Sequence, residues 1–242
     1  MQTSFQPLIA VPSLLVGLLL LGVGACDLSG AVPSDWGLAK YSQERVRQRV
    51  VESAGGEDSE GFDESFDAAE AEIKAAMESL FGTAKAPHWP MGRSGADAPA
   101  LLATSAAAYQ AECAHCHGPE GFGNGPSSIH LKPVPWNFAI GVFPRTAPNG
   151  GMPKTKDLTE LLSKGIDGAS MPPFKRLGEE TLIGISGHVL LLARRAQIEP
   201  WLVDAWLRGG PGSLSADSAL EIYLAWESGK TRASLNSIPN KN

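Results

Sequence analysis

The chain has little cysteine: three residues in 242, at Cys26, Cys113 and Cys116. That argues against the disulfide-dense scaffolds with which small exported domains compensate for a thin core. There is no second Cys/Cys or Cys/His pair at ligand spacing, which a closed structural zinc site would require. There is no basic block, and the net charge is −6, so the electrostatic footprint of a nucleic-acid binder is missing. No charged side chain stands between the amino terminus and Asp27, and only one long apolar run occurs, from Leu8 to Val23.

What is present is the run Cys113-Ala114-His115-Cys116-His117, followed at once by Gly118. Two cysteines three apart with a histidine directly after the second form the attachment signature of a c-type haem. On a helical turn, residues i and i+3 share a face, so both thiols can reach the two vinyl groups on one edge of a porphyrin. The next imidazole then sits under the iron as its proximal ligand. A thioredoxin-like pair would need a preceding strand in a βαβ setting, but the residues before Cys113 are alanine-rich and helical in pattern. The cofactor expected is one covalent haem c. Attachment of that group takes place outside the cytoplasm, so the chain is expected to be exported.

The first residues fit that expectation. The apolar run ends Leu21-Gly22-Val23-Gly24-Ala25-Cys26, small residues directly before a cysteine, which resembles a bacterial lipoprotein cleavage box. The resemblance implies a signal peptide over 1–25 and lipidation of Cys26. Acyl chains at about 0.8 kcal/mol per buried methylene make a durable anchor. The n-region lacks the Lys or Arg usual in signal peptides. The other reading is an uncleaved transmembrane helix of near-minimal length. Either one tethers the chain to a membrane on its periplasmic or extracytoplasmic side.

Residues 26–98 read as a tether and helical arm. A helix is predicted from Leu38 to Ala54, stopped by Gly55-Gly56. Between Glu57 and Glu72 stand eight acids and no base. Phe62, Phe66, Ala69, Ile73, Met77 and Leu80 recur at steps of three and four, which predicts a second helix from about Asp63 to Phe81. Its apolar stripe serves either packing within the chain or docking of a partner. His88 and Trp89 fall in the loop that follows, His88 as a surface residue.

Residues 99–195 hold the centre. Asp97 can cap a helix with Pro99 in its first turn, and Tyr109 lies one turn before Cys113, where an aromatic can pack against a porphyrin edge. A Gly- and Pro-rich segment follows. A structureless stretch of that length argues against a compact domain unless it wraps a cofactor. A short helix is predicted around Lys156 to Lys164, then a last helix from Glu179-Glu180 to Arg194-Arg195. Between them, Met171-Pro172 supplies a soft thioether suited to the sixth position of a low-spin haem. Met152 is its contender, and His115, His130 and His188 are rivals for the iron.

The order Cys113-x-x-Cys116-His117-Gly118, then Gly121-x-Gly123-x-Gly125-Pro126, then Gly168-x-x-Met171-Pro172-x-Phe174, then a helix opened by acids, resembles the single-haem class I c-type cytochromes. The membrane-attached bacterial members with an N-terminal arm are the nearest in kind. The resemblance implies an all-α class I cytochrome c fold over 99–195, carrying an N-terminal arm and a C-terminal extension. It also implies haem contacts from Cys113, Cys116, Tyr109 and Pro126, His117 and Met171 on the iron, and a crossing of the first and last helices near Gly184 and Gly187. At position 188 the family usually has an aromatic, and this chain has His188.

The tail, 196–242, reads as two helices, Pro200 to Arg208 and Ser215 to Glu227, divided by Gly209-Gly210-Pro211-Gly212. Its aromatics either pack back onto the chain or anchor a partner. The function expected is one-electron transfer to or from a redox protein or respiratory membrane complex, without catalysis of its own. The competing readings are a haem enzyme or gas sensor with a labile sixth ligand, and an assembly subunit whose haem is structural.

Overall fold

A computed structural model describes residues 32–33, 35–90 and 99–232, with the side chains of 99 and 100 excepted. Cys26, the apolar leader, Met91, Asp97 and the last ten residues lie outside the described residues. The described residues form seven α-helices and no strand beyond one isolated bridge between Gly82 and Pro87. The fold is all-α, in keeping with a cytochrome c fold. No helix among the described residues is long and apolar enough to cross a membrane.

Helices α1 (Lys40–Ala54) and α2 (Phe62–Phe81) form the arm. The first ends where Gly55 adopts φ 84°, a left-handed conformation that glycine takes without a steric penalty. The second buries Phe62, Ala69, Ile73, Met77 and Leu80, the stripe legible in the sequence, while Phe66 is only partly buried. The Arg47 guanidinium lies over the Phe62 and Phe66 rings at 5.5 and 4.8 Å and joins the pair.

Helix α3 (Pro99–Glu112) runs into the short α4 (Ala114–His117). Then come α5 (Thr155–Lys164), α6 (Glu179–Gly209) and α7 (Ala216–Glu227), the last opened by a reciprocal Ser215–Ser218 capping box.

Helix α6 departs from expectation. It does not stop at Arg195 but continues for 31 residues to Gly209, with Pro200 inside it. Proline reads as the start of a new helix because its missing N–H is harmless there. Mid-helix it costs about 3 kcal/mol. Burial offsets that cost: Ile198, Trp201, Leu202, Val203 and Trp206 are all buried, Asp204 pairs with Arg45 of α1, and Trp206 Nε1 donates to Glu72 of α2.

Its first half packs against α3 and α5. At the α3 crossing, a Cβ on Gly184 would collide with Ser105 Oγ, so glycine permits the close approach.

The arm and tail therefore pack on α6 and on each other. Arg194 lies over both Trp89 of the arm (5.4 Å) and Trp226 of the tail (5.5 Å). Next to it, Arg195 is almost wholly buried. Its Nη2 donates to the carbonyls of Trp36 and Gly37, at 3.2 and 2.9 Å, and its guanidinium covers the Trp36 ring at 5.2 Å. Glu199 Oε1 accepts from the Ala39 N–H (2.8 Å), and Glu120, in the loop after α4, accepts from the Gly37 N–H (2.8 Å). Residues 36–39 thus form a strap pinned to both α6 and the loop after α4.

Candidate haem-binding site

The attachment signature folds as a tight turn. The His117 N–H donates to the Cys113 carbonyl (2.9 Å), and the Gly118 N–H to Ala114 (2.8 Å). The chain then curls back on itself, with the N–H of Gly123 on the carbonyl of His117 and that of Gly125 on Cys116. A Cβ on Gly125 would strike the backbone of Ala114, His115 and Cys116, which is why the loop can lie against α4 only with glycine there.

Around this turn lies a cavity of about 480 Å³. Its lining includes Cys113, Cys116, His117, Tyr109 and Met171. Five sequence-derived candidates, drawn from α3, α4 and the α5–α6 loop, therefore share one cavity. Pro126 does not: it is exposed and outside the lining. The wall it was expected to supply is made by Pro133, Pro135 and Pro144, with Phe138, Phe143 and Val189.

The rivals to Met171 lie elsewhere. Met152 Sδ accepts from Gln197 Nε2 at 3.7 Å and is absent from the lining. His115 is exposed and paired with Ser127 Oγ, and His130 is exposed. His188 is buried on α6 behind Tyr109 and is also absent from the lining. His88 is half-buried and absent from the cavity lining.

The electrostatics of the two ligand types differ from those of a reactive thiol pair. Burial, with smaller contributions from Glu112 and Cys116, pushes the Cys113 thiol up to about 12. A disulfide-exchanging cysteine needs the opposite shift, toward the thiolate. His117 is held below the usual imidazole range by burial, partly opposed by its hydrogen bond to the Trp136 carbonyl. It is therefore neutral near pH 7, as a metal-binding imidazole must be. Nδ1 lies 3.1 Å from that carbonyl. The pairing fixes the ring plane and leaves Nε2 as the nitrogen for a ligand. Phe138 stacks on the same ring with centroids 4.7 Å apart. Tyr109 is wholly buried, and its Oη donates to the Gly118 carbonyl at 2.8 Å.

An apolar cavity with two thiols, a neutral imidazole of fixed orientation and a thioether fits a haem c. Sequence reasoning missed Trp136, Phe138, Phe143 and Arg145. The spacing of Trp136 to the signature carries no signal, because its contribution is a backbone carbonyl that any residue could supply. Phe138 and Phe143 sit in a segment whose composition reads only as loop.

Residues 100–189 match the family model described as cytochrome C oxidase, cbb3-type, subunit III. No curated protein matches the chain. Among solved structures, a chain of the reducing HAO-like protein complex of Kuenenia stuttgartiensis is similar at 31% identity, over 40% of this chain and 43% of that one, with a TM-score of 0.35. The chain thus spans under half the length of that relative. The signature, the cavity around it and the family match coincide on one segment, and residues 100–189 are a c-type cytochrome domain.

Proposed function

We propose that this protein is a membrane-tethered one-electron carrier, or the haem subunit of a respiratory complex, using one covalent haem c with His117 and Met171 on the iron. The observation that carries the reading is the cavity lining, in which His117 is the one histidine and Met171 the one methionine. When bound, such a group would supply exchange of one electron at its iron. The protein does the rest. Cys113 and Cys116 would hold the group through thioether links, and His117 and Met171 would ligate its iron. The Trp136 carbonyl holds the His117 ring, and the Tyr109–Gly118 bond fixes the wall beside it. Phe138 and Phe143 keep water from the imidazole side. Arg145 is the one cationic side chain in the lining and suits the carboxylates of a haem.

The mouth of the cavity suits docking of a redox protein. Most of the strongly exposed large apolar side chains among the described residues lie on one loop: Ile129, Val134, Trp136, Ile140 and Val142. Residues 118–178 carry seven bases against four acids, whereas residues 35–90 carry twelve acids against six bases. The partner that fits this mouth has an acidic rim around an apolar centre.

Lipidation of Cys26 supplies the tether in this reading. Cys26→Ala moves the protein from the membrane to the soluble fraction if the anchor is acyl, and leaves it membrane-bound if the apolar run is an uncleaved helix.

The decisive test is Met171→Ala, read by absorption spectra in both oxidation states and by carbon monoxide binding to the reduced protein. The wild type is expected to be low-spin and unreactive to carbon monoxide, and the variant to bind it rapidly. Rapid binding by the wild type would favour the enzyme or sensor reading instead.

A further inference from the structure

Met171 sits in a loop whose backbone is fastened on one side. The Ile166 N–H donates to the Met171 carbonyl at 3.0 Å, and the Phe174 N–H to the Leu162 carbonyl of α5 at 2.9 Å. Toward α3, a polar link crosses the cavity wall. Arg176, in the short 3₁₀ turn that ends the loop, pairs with Glu112, the last residue of α3 and the neighbour of Cys113. The contact is two-pronged: Arg176 Nη1 donates to Glu112 Oε1 at 3.1 Å, and Nη2 donates to Glu112 Oε2. Such a fork holds direction as well as distance. The same guanidinium lies 6.0 Å from the centroid of the Phe174 ring. Phe174 and Glu112 both line the cavity.

We infer that Glu112 and Arg176 form a clasp between the helix that carries the attachment cysteines and the loop that carries Met171, and that the clasp sets how readily Met171 yields its position to an external ligand. This rests on Met171 being an iron ligand. The pair are positioning residues: neither supplies an atom to the iron. Because the clasp lies at the surface, its strength is modest and salt-sensitive.

The test uses the holoprotein and imidazole as the competing ligand of the oxidised form, followed by loss of the near-infrared absorption that accompanies methionine on ferric haem. Arg176→Gln and Glu112→Gln are each expected to raise imidazole affinity by about threefold, the scale of an exposed ion pair. The exchange Glu112→Arg with Arg176→Glu is expected to restore the wild-type value, and Arg176→Lys to restore it only partly, since Lys cannot form the fork. In 1 M salt, wild type and both single variants are expected to converge. Unchanged affinity in both single variants, with the near-infrared band intact in the wild type, would overturn the clasp alone. Absence of that band from the wild type would overturn Met171 as ligand, and the clasp with it.

Discussion

The phenol ring of Tyr109 lies against the imidazole of His188, with centroids 5.0 Å apart and planes tilted by 48°. Trp36 of the strap closes on the far side at 6.4 Å. Both His188 ring nitrogens are buried without a hydrogen-bond partner. An aromatic hydrocarbon would fill this place without that cost.

Burial lowers His188 to about 4, against an ordinary value near 6.5. Between those values the unfolded chain takes up a proton that the folded chain refuses. Stability contributed at this position is therefore complete above pH 6.5 and falls as the pH drops toward 4, by about 3 kcal/mol. His188→Phe is expected to remove that slope and to raise stability at pH 5 more than at pH 7. Urea unfolding of both proteins at the two pH values checks this. Parallel curves for wild type and variant would contradict it.

Arg195 holds the strap through the carbonyls of Trp36 and Gly37 and lies 3.9 Å from Glu199 Oε2. Arg195→Met is expected to cost about 3–5 kcal/mol, because it leaves buried Glu199 without its cation. Adding Glu199→Gln to that variant should recover part of the loss. Denaturant midpoints of the two variants decide the point, and equal midpoints would mean that the charge of Glu199 is not what suffers.

Gly184 is a helical glycine, at which alanine ordinarily stabilises by up to about 1 kcal/mol. At this crossing the added Cβ meets Ser105 Oγ. Gly184→Val is therefore expected to destabilise by about 1–3 kcal/mol through overpacking of α3 on α6. Pairing it with Ser105→Gly should relieve much of the loss, as read by thermal unfolding of each holoprotein.

Electron exchange with an acidic redox protein is expected to slow about tenfold between low and physiological ionic strength. Lys132→Gln and Lys175→Gln, which flank lining residues, should weaken that dependence. Arg47→Gln, on the arm, should not. Stopped-flow rates across a salt series measure it, and a rate that rises with salt would assign the acidic arm as the docking face.

The helices that turn one apolar face to a neighbour were legible because their stripes repeat at steps of three and four, as α2 does from Phe62 to Leu80. The turn at Cys113–His117 was legible because chemistry demands its spacing. Pro200 misled because proline reports only what it forbids locally, and the burial of Trp201 and Trp206 that overrides it depends on distant helices. Pro126 misled in the same way: a loop's composition says that it wraps, without saying which proline meets the cavity. The Glu112–Arg176 pair spans 64 positions of sequence, and no local pattern links two such charges. The Trp136 carbonyl left no trace in the sequence at all.

Helix α6 serves two masters. Ser186 and Val189 near its start line the cavity, Arg194 at its middle bonds Tyr223 and Glu227 of α7, and Asp204 and Trp206 near its end reach Arg45 of α1 and Glu72 of α2, so the helix is also the axle of the bundle. A helix of 31 residues is about 46 Å long. Whatever grips the bundle therefore also aims the cavity, as a hand on a handle aims a lamp. A haem carried on a flexible stalk could sweep for partners. In the proposed carrier, a haem on this shared axle would keep a fixed bearing relative to the bundle, and a partner would have to arrive from the direction in which it points.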